Sequence, residues 1–208
     1  MESRPHFACR DSNKKKPKGL FDLVYYDHAA MRVCFFINVK LRGLWSYTHH
    51  SPDFGSLRLQ CQDRTIHIHN IYNPSPGPGN RLKTLALLDK VLQQHKIGEE
   101  HIALGYFNLH YPHWGGHSLR NTHAKADSLL AITKKHQMQL LFPPGTITRQ
   151  EKGQSTTIDL IFVTHTLLEG VITCGLVDRS LDRDLGRLVI STTLELATAT
   201  RHPTPRRI

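Results

Sequence analysis

The run from Ile102 to His117, Ile-Ala-Leu-Gly-Tyr-Phe-Asn-Leu-His-Tyr-Pro-His-Trp-Gly-Gly-His, constrains the fold more than any other stretch of the chain. Ile102, Ala103 and Leu104 read as a buried strand. Gly105 closes the apolar run and lets the backbone turn, because glycine alone takes positive φ cheaply. Tyr106, Phe107 and Asn108 then fall at the carboxyl end of the strand, where α/β proteins commonly place their chemistry. Pro112 and the pair Gly115-Gly116 mark a loop that holds Trp114.

Strand patterns dominate the chain before this run. Residues 20–26 and 32–40 read as strands, the second rich in Val, Phe and Ile. Residues 45–50 and 57–61 form two more. From Thr65 to Tyr72, Ile66 and Ile68 alternate with His67, His69 and Ile71, the pattern of a strand with one wet side. Residues 73–80 carry three prolines and two glycines, which makes them a loop. Leu82, Leu85, Leu88, Val91 and Leu92 then recur at helical spacing, so residues 81–96 form an amphipathic helix that Gly98 stops. Residues 122–136 form a second helix with Leu129, Leu130 and Ile132 on its apolar side. Residues 156–164, 171–176 and 188–196 close the chain as strands. Many strands, a helix, a strand, a helix and more strands suit two mostly antiparallel sheets packed face to face, with helices outside. The division is a disordered basic arm at 1–19, one folded domain at 20–197 and a Pro/Arg-rich tail at 198–208.

Charge narrows the partners. The net charge of +10 favours an anionic partner, DNA first and RNA second. The basic residues are spread along the chain, so they predict a positive surface without a defined groove. Cys9, Cys34, Cys61 and Cys174 include no Cys-x-x-Cys pair, and the last three lie in apolar runs. They read as buried free thiols in a reducing compartment. No apolar signal region opens the chain, and no apolar run is long enough to cross a bilayer. The expected location is therefore intracellular, nuclear or cytoplasmic, not secreted and not in a membrane. Lys14-Lys15-Lys16-Pro17-Lys18 has the composition of a nuclear import signal or of a solvated tail.

Gly105-Tyr106-Phe107-Asn108 resembles the Gly-Asp-Phe-Asn strand end of the endonuclease/exonuclease/phosphatase superfamily. The following His110-Tyr-Pro-His-Trp-Gly-Gly116 is similar to a run in the endonuclease domain of fungal LINE-type (non-LTR) retrotransposons. The resemblance implies a four-layer α/β/β/α sandwich and phosphodiester hydrolysis of DNA with Mg²⁺ or Mn²⁺. It covers about residues 20–196, and the amino-terminal strands of the family, with their metal-binding glutamate, have no counterpart. Carried over by motif, Tyr72 in His69-Asn-Ile-Tyr-Asn-Pro74 matches the tyrosine at the scissile phosphate. Asn108 matches the phosphate-binding asparagine. Asp159 in Ser155-Thr-Thr-Ile-Asp159 matches the acid that orients the catalytic histidine.

Three positions depart from the pattern. Tyr106 stands where the family has its aspartate. Reading back from the closing strand, Gly186 and Arg187 stand where it has Asp-His. Arginine cannot serve as a base near neutral pH. The chain is thus expected to be a degenerate, amino-terminally truncated relative that holds the metal poorly and cleaves weakly or not at all. The alternative is a non-catalytic remnant that binds nucleic acid. Arg187 is also expected to pair with Asp159 as a structural ion pair. His110, His113 and His117 have the spacing of a zinc site, but no further ligand completes the set.

Overall fold

The computed structural model describes residues 19–195, apart from 28–29, 62–63, 75–82, 95, 117–121, 152 and 178–187. Residues 1–18 of the expected arm, the Pro/Arg-rich tail, Cys9, His117, Gly186 and Arg187 lie outside the described residues, and so does the expected Asp159–Arg187 pair.

The first elements, in which β-branched and aromatic residues recur, are strands: β1 (Phe21–Val24), β2 (Phe35–Asn38), β3 (Trp45–Ser51), β4 (Phe54–Gln60) and β5 (Thr65–Tyr72). Helix α1 (Lys83–Gln93) follows and leads into β6 (Glu99–Tyr106). Next come the short turn α2 (Pro112–Gly115), helix α3 (Ala126–Lys135) and β7 (Met138–Leu140). The hairpin β8 (Arg149–Glu151) and β9 (Gln154–Thr156) precedes β10 (Asp159–Thr164). The turn α4 (His165–Leu168), β11 (Val171–Leu176) and β12 (Ile190–Leu194) complete the order.

One six-stranded sheet has the order β3-β4-β5-β6-β10-β7. Its strands are antiparallel except β5 and β6, which run parallel because α1 connects them as a crossover. The strands β1 and β2 form a ladder on its inner face. The Asn70 amide donates there to the Cys34 carbonyl (2.9 Å), and Phe35 meets Tyr47 edge to face. The ladder of β11 and β12 packs Cys174, Ile190 and Leu194 against the main core. The architecture is the layered α/β sandwich that the sequence predicts. Its second strand layer is made of two-stranded ladders among the described residues.

The outer face of the large sheet is covered by helices. Leu85, Leu88, Val91 and Leu92 are all buried on α1, and Leu129 and Ile132 on α3. Each contributes about 1.5–3 kcal/mol by leaving water. This cover changes the reading of β5. His67 and His69 do not face solvent, and His69 is 0% exposed. Alternation shows which residues share a face but not what packs on it.

Gly105 does not end its strand. It lies inside β6 with φ near 131°, where a side chain would overlap the Ile71 carbonyl oxygen on β5. The expected loop around Trp114 is partly a helical turn, with Pro112 at its first position, where the missing N–H costs nothing. Trp114 is buried there and donates from Nε1 to the Leu109 carbonyl (2.8 Å). The expected strand over 156–164 is two strands with Thr157 and Ile158 between them. The three cysteines described are free thiols, half-buried rather than buried.

Candidate active site

The carboxyl ends of β5 and β6 and the start of β10 meet in one row. Tyr72 lies opposite Tyr106 in the parallel pair, and Tyr106 lies opposite Asp159 in the antiparallel pair. Directly paired residues project to one face, so the three side chains stand in line across the sheet. The two tyrosine rings stack with centroids 5.2 Å apart. Met31, Val33 and Ile158 bury them in a small separate core.

Asn108 joins the row. It has a left-handed backbone, φ near 52°, which asparagine tolerates better than most residues. Its Oδ1 accepts from the Tyr106 hydroxyl at 3.0 Å. Phe107 N–H donates to the Ile158 carbonyl (2.9 Å), and this ties the end of β6 to the approach to β10. Asn73 holds the other side, donating from its main chain to the Tyr106 carbonyl (2.7 Å) and from its amide to the Phe107 carbonyl (2.8 Å). Tyr72, Asn108 and Asp159, far apart in sequence, therefore converge on one strand-end cleft. Tyr106 is 8% exposed and occupies the middle of it.

Arg32, Asp53 and Thr148 brace the row. The Arg32 guanidinium lies over the Tyr72 ring, 4.5 Å from its centroid, and pairs with Asp53. Burial pushes the Asp53 carboxyl above its usual range, and Arg32 only partly offsets this. Tyr72 N–H donates to the Asp53 carbonyl at 2.8 Å, so the β3–β4 turn is fastened to the end of β5. Thr148 is 0% exposed, and its Oγ1 accepts from the main-chain N–H of Ile158 (3.0 Å) and of Asp159 (3.1 Å). It sets the position of Asp159 from a distant segment. His110 and His123 pack edge to face with centroids 4.8 Å apart. Burial holds the His110 imidazole below its ordinary value, and His123 and Arg149 add repulsion.

A hard divalent cation needs several carboxylate or carbonyl oxygens around one point. The row offers two phenols, an amide and one carboxylate, and the Asp53 carboxylate is taken up by Arg32. Among the described residues, no group of three or more His, Cys, Asp or Glu side chains is arranged to hold a metal ion. The residues described here therefore do not fit a Mg²⁺ or Mn²⁺ centre. Nor do they fit the zinc idea. His113 lines a separate groove of about 550 Å³ with Leu130, Lys134 and Phe142, whereas His110 turns to His123.

The fold is that of the endonuclease/exonuclease/phosphatase superfamily. The chain matches the endonuclease domain of TRAS1, a telomere-specific non-LTR retrotransposon, at TM-score 0.65 and 12% identity over 93% of this chain and 92% of that one. It matches a Neisseria 3′ phosphatase, NExo, solved with a product DNA hairpin, at TM-score 0.63 and 12% identity over 93% and 84% of the two chains. The AP endonuclease LMAP of Leishmania major gives TM-score 0.65 and 10% identity over 84% and 70%. In sequence, residues 66–181 match the endonuclease-reverse transcriptase family, and the chain belongs to that family. No curated protein sequence matches it.

Proposed function

We propose that this chain is a retrotransposon-type endonuclease domain whose DNA binding outlasts its phosphodiester hydrolysis, the hydrolysis being impaired or lost. The observation that carries this is Tyr106. Its ring stands between Tyr72 and Asp159 at the position of the family's aspartate, stacked and hydrogen-bonded into the cleft. A phenol there supplies bulk in place of a carboxylate. The replacements Gly186 and Arg187, read from the sequence, point the same way. Losses within one cooperating site each remove orders of magnitude and do not add simply.

The retained groups suit binding. Arg32 and the Asn108 amide present donor groups of the kind that hold a phosphodiester. The net charge of +10 supplies the long-range attraction to DNA. Mg²⁺ or Mn²⁺ is the family's expected cofactor, and the described residues of this cleft supply too few oxygen ligands to hold it. A second reading, a nucleic-acid-binding remnant with no turnover at all, rests on the same charge and the same missing acids.

Fluorescence anisotropy with a labelled duplex tests both. The expected result is binding whose logarithm falls linearly with log salt, by about 0.9 per phosphate contacted. The duplex should be recovered intact after incubation with Mn²⁺. Efficient cleavage of the bound duplex would overturn the impairment, and absence of salt-dependent binding would overturn both readings.

A further inference from the structure

On the outer face of the sheet, opposite the tyrosine row, a cavity of about 140 Å³ opens between the edge strand β3 and the end of α1. Ser46, Thr48, His50, Ser56, Arg58 and His67 line it. The Gln94 carboxamide and Val91 complete the wall. Ser46, Thr48, Arg58 and Gln94 are exposed at its mouth, while Ser56 and His67 form a buried floor. No carboxylate lines it among the described residues. Three hydroxyls, two imidazoles, a guanidinium and a carboxamide converge on a space large enough for one tetrahedral oxyanion.

We infer that this cavity is a binding site for a phosphate monoester or inorganic phosphate, separate from the strand-end cleft. Arg58 carries the main charge. Its guanidinium is held at the mouth by Gln60 (3.0 Å) and Thr65 (3.4 Å), so little freedom is lost when an anion arrives. The floor is organised as well. Ser56 Oγ shares hydrogen bonds with His50 Nε2 (2.8 Å) and with His69 Nδ1 (2.7 Å). His69 Nε2 in turn meets His101 Nδ1 at 3.2 Å. His67 stacks on His101 with centroids 5.2 Å apart. A proton held anywhere on this chain of imidazoles adds positive charge beside a bound anion.

Binding therefore strengthens as the solution is acidified. The groups facing the cavity and its floor set that response: His50 on β3, Arg58 on β4, His67 and His69 on β5, and Glu99 and His101 on β6. Glu99 lies 3.4 Å from His67. Helix α1 brings no opposing charge, because its Asp89 is engaged by Lys135 and His136.

The test is NMR of the full chain with labelled histidines, titrated with inorganic phosphate at constant ionic strength. His50 and His67 should shift saturably. The exposed substitution Arg58→Gln should raise the midpoint about tenfold or more, since it removes a charge-assisted contact. With sulfate, whose own charge does not change, the midpoint should be lower near about pH 6 than near about pH 8, across the range where histidine titrates. Non-saturating shifts would overturn the site. So would a midpoint untouched by Arg58→Gln, or one moved instead by Arg32→Gln in the other cleft. Oligonucleotides with and without a terminal phosphate distinguish the source. Competition by the phosphorylated form alone supports the site and assigns it to nucleic-acid ends. Competition by neither, with phosphate still binding, supports the site and assigns it to the free anion.

Discussion

Thr148→Val is the sharpest stability test of the cleft. Valine matches threonine in shape and volume, so packing is preserved and only the hydroxyl is lost. In the wild type, Oγ1 accepts from two main-chain N–H groups, Ile158 at 3.0 Å and Asp159 at 3.1 Å. The site is 0% exposed, so water cannot replace that acceptor without a rearrangement. Each orphaned buried donor costs about 1–3 kcal/mol, and two with partial relaxation cost about 2–4 kcal/mol. The Thr156 carbonyl loses only a weak contact, because it keeps the Thr148 N–H at 3.0 Å. Thr148→Ser keeps the acceptor, loses one methyl and should cost about 1 kcal/mol. Urea unfolding gives the free energies, and amide exchange at Ile158 and Asp159 localises the effect. A valine variant within about 0.5 kcal/mol of wild type, or a serine variant worse than valine, would refute the reasoning.

Gly105→Ala should cost at least about 4 kcal/mol or prevent cooperative folding, because the methyl overlaps the Ile71 carbonyl oxygen between two central strands; a normal melt would contradict this. Tyr106→Asp places one new acid opposite Asp159, and two carboxylates without the further oxygen ligands a hard cation needs should give no tight Mg²⁺ binding by calorimetry. His110, whose folded value is held below 6.5 mainly by burial, contributes stability that is complete above 6.5 and lost as pH falls through its folded value. The gap between wild type and His110→Gln should therefore narrow on acidification, and urea midpoints that move in parallel would contradict this.

Local pattern reveals elements that carry their own signals. Strand β5 runs from Thr65 to Tyr72 as expected, because turn residues precede it and prolines follow. Helix α1 shows its leucine stripe, and β11 its Val-Ile run. The three-residue β7 is too short to show a period. The α2 turn was detectable from Pro112 before a buried aromatic, a helix-start signal that the flanking glycines masked. That Tyr72, Asn108 and Asp159 lie together was expected only through family motifs, since no local rule joins residues so far apart. Arg32, Asp53 and Thr148 belong to no motif. Arg32 reaches Asp53 across 21 residues, and Thr148 reaches Asp159 across 11. Only the folded chain brings such partners together. The buried histidines were hidden for the same reason, because the helix that covers them lies elsewhere in the sequence.

The function of this chain depends on whether the row of Tyr72, Tyr106 and Asp159 still supports hydrolysis. The most direct measurement is the initial rate of supercoiled plasmid nicking by the full chain, with Mg²⁺ and then Mn²⁺, against an EDTA control and at protein concentrations that saturate the DNA. The expected rate is at or barely above the control while the plasmid is fully bound. Metal-dependent nicking that scales with enzyme and is abolished by Tyr72→Phe or Asp159→Asn would contradict it.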